Sequence, residues 1–194
     1  MDAVFCGIVI LQVFTSVLSF QDGAPGSACA DMMPRHTGVR PQTNPAPYTI
    51  HQSNTTLQTG KPITVVIEGP DYTGVLLEAR SGSDSKAIGT WQTPPNNTKF
   101  LACSGNKQGA ITHANSNIKN NSTVYTWIPP AAAENIFFIA TVAQQRTVFW
   151  VQVRSSTSSG GGTSLDVNNT AERIVTPVLI LPVVLLANVQ FLLA

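Results

Sequence analysis

The sequence predicts an all-β domain folded as an antiparallel sandwich, with an apolar segment at each end of the chain. Short runs of β-branched and aromatic residues recur between residues 63 and 153, and Gly, Pro, Asn and Ser separate them. No stretch of this central region keeps the 3.6-residue apolar period of an amphipathic helix. Once the two ends are set aside, the 194 residues leave room for one domain with a core.

Five of these runs are predicted as strands, and they follow each other at short intervals. They lie at residues 63–67, 75–79, 124–127, 136–142 and 147–153. Gly69-Pro70 and Pro129-Pro130 mark turns after the first and third runs. The last two runs are separated by residues 144–146 and predict a β-hairpin. Strands of five to seven residues with this punctuation are typical of a sandwich.

The N-terminal apolar segment has the features of a secretory signal peptide. Residues 3–20 carry no charge, and the segment ends in small residues, as expected before a cleavage site. Asp2 is the only charged residue in front of it, so the usual positive charge is missing. We predict a signal peptide at residues 1–19, cleaved after Ser19, with a buried N-terminal helix as the alternative.

The C-terminal apolar segment predicts a glycosylphosphatidylinositol (GPI) attachment signal. Residues 174–194 are uncharged, but their two prolines make them a poor transmembrane helix. Small residues, a polar spacer and an apolar tail follow each other here in the order expected of a GPI signal. We predict attachment at Gly160, with Ser159 and Gly161 as alternatives, and a retained membrane anchor as the competing interpretation.

These assignments divide the chain into four parts. They are a signal peptide (1–19), the β domain (20–154), a Ser/Gly-rich stalk (155–160) and a GPI propeptide or retained anchor (161–194). The expected location is the extracellular face of the plasma membrane, reached through the secretory pathway, with a shed or secreted form as the alternative. We expect a monomer.

The cysteines and sequons agree with a secreted protein. Cys6 lies in the predicted signal peptide, so the mature chain keeps Cys29 and Cys103, which are expected to form one disulfide. Free thiols or metal ligands are the alternatives, and this spacing does not favour a metal site. Asn-x-Ser/Thr triplets predict N-glycosylation at Asn54, Asn96, Asn120 and Asn121, with only one of the adjacent last two used.

The sequence shows no recognisable catalytic, metal-binding or cofactor-binding set. The histidines are His36, His51 and His113, and they form no His-x-x-x-His pair. There is also no Gly-x-Ser-x-Gly nucleophile motif. We therefore expect a non-enzymatic protein without a cofactor, in which His113 bonds to a sheet edge or a loop carbonyl.

The charge content points to no nucleic-acid partner. Charged residues are 11% of the chain, against roughly 25% in an average protein, and the net charge is +1. The candidates for a basic face that would bind acidic glycans or microbial surfaces are Arg80, Lys86, Lys99, Lys107 and Lys119. Ordinary solvated charges are the simpler interpretation. Trp91, Trp127 and Trp150 are expected in the core.

A series of short motifs in residues 23–154 resembles the reelin (reeler) domain family. The motifs are Gly23-Ala24-Pro25, Ala28-Cys29, Met33-Pro34-Arg35-His36, Pro47-Tyr48, residues 73–80, Gly89-Thr90-Trp91, Cys103, Thr112-His113-Ala114-Asn115, Lys119, and residues 127–130, 138–142 and 149–151. Glu78 stands where the family has glutamine, and Tyr72-Thr73-Gly74-Val75 replaces a Phe-Gly motif. The resemblance implies an immunoglobulin-like β-sandwich in which Cys29 and Cys103 are bridged.

The same resemblance implies a function in defence. Stand-alone members of the family are small secreted proteins linked to responses to bacteria and fungi, so we expect innate-immune recognition of microbes or glycans. An extracellular-matrix or adhesion module is the alternative. A second alternative is a relative of the ferric-chelate reductases that lacks their haem modules, because the predicted stalk and anchor signal fill the 40 residues after Arg154.

Overall fold

Two antiparallel sheets pack face to face in a computed structural model that describes residues 21–131 and 134–160. A 3-10 turn, Gly26–Ala28, precedes the strands. The strands are β1 (Thr49–Gln52), β2 (Thr56–Leu57), β3 (Ile63–Glu68), β4 (Gly74–Ser81), β5 (Thr90–Trp91), β6 (Thr98–Cys103), β7 (Asn106–His113), β8 (Val124–Ile128), β9 (Ile136–Gln145), β10 (Val148–Arg154) and β11 (Ser159–Gly160). The predicted all-β antiparallel sandwich is confirmed.

The larger sheet has the strand order β10-β9-β4-β7-β6, and the smaller sheet has the order β1-β3-β8-β5. The five predicted runs correspond to β3, β4, β8, β9 and β10. The hairpin between the last two is tighter than predicted, because β9 continues to Gln145, which pairs with Val148. Strands β1, β2, β5, β6, β7 and β11 were not predicted.

The inner faces of the two sheets form the main core. Along β3, Ile63, Val65 and Ile67 are buried and the residues between them are more exposed, so one face of the smaller sheet is solvated. All three tryptophans are buried, as predicted. The rings of Trp91 and Trp127 pack 5.8 and 5.3 Å from Phe138 on β9, centroid to centroid, and these tilted and edge-on contacts between aromatic rings join the two sheets.

The larger sheet is buried on both of its faces. Every residue of β9 from Ile136 to Ala143 is buried. Alternate side chains point to opposite faces of a strand, and Phe137 and Ile139 accordingly belong to a second apolar cluster outside the inter-sheet core. A strand covered on both faces reads as a continuous apolar run, and this explains the pattern of residues 136–142.

The second face is covered by residues 23–42, which we call the cover segment. Near its start, Ala24 donates its backbone N–H to Thr112 Oγ1 on β7 at 2.8 Å. Farther along, Met32 accepts a hydrogen bond from Thr141 Oγ1 on β9. Near its end, Gln42 donates to the carbonyl of Phe149 on β10 at 2.9 Å. The segment therefore crosses the sheet from β7 to β10.

A disulfide between Cys29 and Cys103 ties the cover segment to β6, which confirms the predicted pairing. The two cysteines are 74 residues apart in sequence. Closing a loop of that length restricts the unfolded chain by roughly 4–5 kcal/mol in the chain-entropy model. The bond holds a segment whose only helical structure is one 3-10 turn in the described residues.

Residues 155–160, predicted as a Ser/Gly-rich stalk, are packed on the domain. Ser158 is buried and exchanges two backbone hydrogen bonds with Ile136. Ser159 and Gly160 form β11 beside Thr56 and Leu57 of β2. Backbone pairing needs no particular side chain, so a Ser/Gly-rich composition does not prevent it.

The described residues end at Gly160, so the predicted signal peptide and the segment after Gly160 lie outside them. Among the residues described, no helix has the length and apolar character needed to cross a bilayer.

Candidate functional site

The cover segment leaves a cavity of about 200 Å³ between itself and the larger sheet. The sheet contributes residues from β4 and β9, of which Gly74, Leu76, Thr141 and Ala143 are four. Apolar side chains of the cover segment close the other side, namely Ala24, Ala28, Met32 and Pro34. Most of the wall is therefore apolar.

Gly74 keeps part of this cavity open. A Cβ atom built on Gly74 would lie 3.2 Å from the Cβ of Ala143 and 3.8 Å from Cε1 of His113. Even an alanine at position 74 would crowd Ala143, and its methyl group would occupy part of the cavity between the sheet and the rim. Glycine in a strand weakens it and often marks a close approach by another group.

Met32 forms a wall of the cavity in an unusual backbone conformation. Its φ angle is 60°, in the left-handed region that bulky residues rarely adopt. The side chain is fully buried, and the hydrogen bond from Thr141 to the Met32 carbonyl holds the peptide in place. Methionine is unbranched and has three rotatable side-chain bonds, so it adapts to the shape of a neighbouring group.

Polar and cationic side chains surround the opening of the cavity. They are Gln21, Arg35, His36, His113, Ser116, Gln145 and Arg146. His36 Nδ1 lies 2.9 Å from the carbonyl oxygen of Arg146, and its ring packs edge-on against Phe149. His113 Nδ1 lies 3.2 Å from the carbonyl oxygen of Val75 on β4, the central strand of the larger sheet, whereas the prediction was a sheet edge or a loop carbonyl.

The rim is electrostatically positive. Burial lowers the pKa of His36, the nearby charges of Arg146 and His113 lower it further, and the hydrogen bond to the Arg146 carbonyl partly opposes this. No carboxylate belongs to the lining among the described residues. Asp31 pairs with Arg35 at 3.0 Å from outside the lining. The positive charge of the rim would therefore attract a bound anion.

The structure thus joins two of the three histidines singled out in the sequence. His36 and His113 are 77 positions apart in the chain but share the cavity rim. His51 is elsewhere, with its Nε2 3.1 Å from a carboxylate oxygen of Glu68 on the smaller sheet. No sequence signal connected the first two, because the cover segment has no regular structure that predicts where it docks.

The predicted basic face loses two of its five members. Lys119 is buried, and its Nζ donates to the carbonyls of Thr73, Asn115 and Asn117 at 2.7–3.1 Å. Burial lowers its pKa to about 8. Arg80 is also buried, so neither cation is available to a partner. Lys86, Lys99 and Lys107 are exposed.

Arg80 is buried because it pairs with a fully buried carboxyl group under the cover segment. Its Nε donates to Glu78 Oε2 at 2.9 Å, and a terminal nitrogen donates to the carbonyl of Cys29. The other oxygen of Glu78 accepts no hydrogen bond. Burial raises the pKa of Glu78 to about 7, and the Arg80 charge and hydrogen bond counteract part of that effect.

Glu78 also completes a group with the two disulfide sulfurs. Ligand atoms of Cys29, Glu78 and Cys103 lie within 4.8 Å of one another, and they are the one such group of three among the described residues. The disulfide occupies both sulfurs, so no thiolate is offered to a metal ion. The sequence indicates this cluster only through Glu78, which stands at a position where the reelin (reeler) domain family has glutamine.

The predicted glycosylation sites lie on loops or strand ends. Asn54, Asn96 and Asn121 are exposed, whereas Asn120 is half-buried. Asn120 Oδ1 accepts hydrogen bonds from the backbone and side chain of Ser122. Of the adjacent pair, this favours Asn121 as the acceptor, and use of any of these sites stays a prediction.

Comparison with known proteins shows similarity to one domain family. Residues 27–163 match the family described as the Reeler domain. A "Putative defense protein Hdd11" from Hyphantria cunea is 41% identical over 145 residues, covering 70% of this chain and 86% of that protein. The "Defense protein l(2)34Fc" of Drosophila melanogaster is 34% identical over 140 residues, with 70% and 86% coverage.

Two further similarities are to a larger protein and to a solved structure. A "Putative ferric-chelate reductase 1" from Danio rerio is 32% identical over 87% of this chain, but only 30% of that protein is covered. The crystal structure of the human F-spondin reeler domain is 17% identical with a TM-score of 0.49, covering 64% of this chain and 96% of that one.

We predict that Glu78→Gln removes a pH dependence of stability. Between pH 4.5 and about 7 the folded protein keeps a proton on Glu78 that the unfolded chain has lost, so stability falls as pH rises. Above this range the variant should be more stable than the wild type by on the order of 3 kcal/mol, and below it the two should be similar. Urea unfolding from pH 4.5 to 8 measures the difference.

The matched control is Glu134→Gln, which neutralises an exposed carboxylate. Its stability should follow that of the wild type across the whole range. Parallel curves for Glu78→Gln and the wild type would contradict the raised pKa.

Proposed function

Because this chain belongs to the Reeler domain family, we propose that it is a non-enzymatic extracellular recognition domain that acts in defence against microbes. One observation carries the proposal: the chain aligns with 86% of the length of the Hyphantria cunea defence protein but with 30% of the Danio rerio reductase. The likeness to the defence protein spans almost all of that relative, whereas the likeness to the reductase concerns one part of it.

The partner that we propose is an acidic glycan or an anionic microbial surface. Lys99 on the edge strand β6 and Lys107 on the neighbouring strand β7 are exposed. Lys86 precedes Ala87, whose N–H donates to Ser104 Oγ in the β6–β7 turn at 3.0 Å. Lys86 and Lys107 therefore flank the same turn, and together they offer a small positive patch.

A double charge reversal at this turn tests the proposal. Lys86→Glu/Lys107→Glu should elute from a lipopolysaccharide column at lower salt than the wild type, because surface ion pairs weaken with charge loss and screening. Arg40→Glu/Lys61→Glu changes the net charge equally at other exposed positions and should bind as the wild type does.

A heparin column separates defence from adhesion. Retention on heparin without retention on lipopolysaccharide would favour the matrix or adhesion alternative. No retention of the wild type on lipopolysaccharide, or an equal loss in the two double variants, would contradict recognition through this turn.

We also propose that the domain is held at the cell surface by a GPI anchor at Gly160, with Gly161 as the nearest alternative. Ser159 is the other alternative, and both Ser159 and Gly160 pair with β2 as strand β11. Since Gly160 is the last residue of β11, an anchor there would follow the domain without an intervening linker. A retained membrane anchor is the competing arrangement.

Phosphatidylinositol-specific phospholipase C should release the protein from intact expressing cells into the medium. A transmembrane-anchored protein on the same cells serves as the control and should stay behind. Protein that remains with the cells after digestion would contradict the GPI anchor and favour a retained anchor.

A further inference from the structure

We propose that the cavity under the cover segment binds a small amphipathic anion, specifically an aliphatic carboxylate of about six to eight carbons. The hydrocarbon chain would lie against Met32, Leu76 and Ala143, and the carboxylate would lie at the rim beside Arg146 and His36. This site is separate from the turn flanked by Lys86 and Lys107, and it does not depend on a role in defence.

The size of the cavity limits the ligand. An apolar protein cavity of about 150 Å³ accommodates benzene, which has six carbon atoms. By the same ratio, the cavity of about 200 Å³ holds about eight atoms of that size. A long-chain fatty acid would not fit with its whole chain enclosed.

The walls show why an occupant is favoured. A hydrocarbon chain that covers the apolar walls removes their surface from water, which is favourable. Gly74 withholds the Cβ that would reduce the space, at a position in β4 that is paired with Ala143 of β9. The side chain that closes the cavity is Met32, which can adjust around a flexible chain.

The rim selects an anion. Arg35 is already engaged, since it donates to Asp31 and to the carbonyl of Ser27. Arg146 is exposed in the turn between β9 and β10 and forms no ion pair within the described residues. A guanidinium donates two parallel hydrogen bonds to a carboxylate, so Arg146 is the residue that we assign to the ligand's head group.

Nuclear magnetic resonance of the protein labelled with ¹³C-methyl methionine gives a direct test. Octanoate should shift the Met32 methyl resonance in a saturable way, whereas Met33, which does not line the cavity, should change little and serves as an internal reference. From butanoate to octanoate the affinity should rise roughly three- to fourfold per methylene. Hexadecanoate should gain nothing over octanoate.

Two variants and two ligand analogues make the test specific. Arg146→Gln should weaken octanoate binding about tenfold or more through loss of a charge-assisted hydrogen bond, while Arg40→Gln at an exposed site should not. Ala143→Leu should fill the cavity and abolish the Met32 shift. Because Arg146 lies at an exposed turn, we expect Arg146→Gln to fold. This variant therefore tests the site even if Ala143→Leu does not fold.

Octanol and octylammonium have the same chain with a neutral or positive head, and both should bind at least tenfold more weakly than octanoate. Equal binding of either analogue would overturn the assignment of an anion site. Octanoate binding that leaves Met32 unshifted, or that is unaffected by Arg146→Gln, would overturn the site itself.

Discussion

The outer face of the larger sheet has to be shielded from water, and much of the structure depends on the segment that covers it. Strands β4 and β9 carry apolar side chains on both faces, so packing against the smaller sheet buries only those of the inner face. The cover segment supplies the second layer with little regular structure of its own. It is held by hydrogen bonds to β7, β9 and β10 and by the Cys29–Cys103 disulfide to β6. The disulfide is therefore a structural bond that keeps an irregular segment on a sheet.

The cavity and the buried ion pair both arise from this arrangement. An irregular segment does not match the surface of a sheet at every point, and small residues at Gly74 and Ala143 leave space where it passes over β4 and β9. Closer to the disulfide the same layer buries Glu78 and Arg80, which bond to each other, and Arg80 also donates to the carbonyl of Cys29. Fold and candidate site thus share one cause, which is why substitutions in the cover segment are expected to affect both.

The sequence predicts those strands whose side chains are mostly β-branched or aromatic, and it also predicts the disulfide. It did not predict β6 and β7, because residues such as Lys99, Asn106 and Gln108 interrupt their apolar pattern. The sequence predicts Arg80 and Lys119 at the surface of the domain, because long cationic side chains are usually exposed. Their partners, a neighbouring carboxylate and three loop carbonyls, are set by tertiary structure. The cavity could not be predicted, since it depends on where residues 23–42 dock, and no local pattern encodes that.

Hydrogen–deuterium exchange of the amides in residues 23–42 tests most directly whether this segment is an integral layer of the domain. In the oxidised protein the amides of Ala24, Met32 and Gln42, which are hydrogen-bonded, should be protected well above a free coil. In Cys29→Ser/Cys103→Ser their protection should fall toward that of a coil before the amides of β9 are affected. Free exchange of these amides in the oxidised wild type would contradict the account, because the outer face of the larger sheet would then lack its cover.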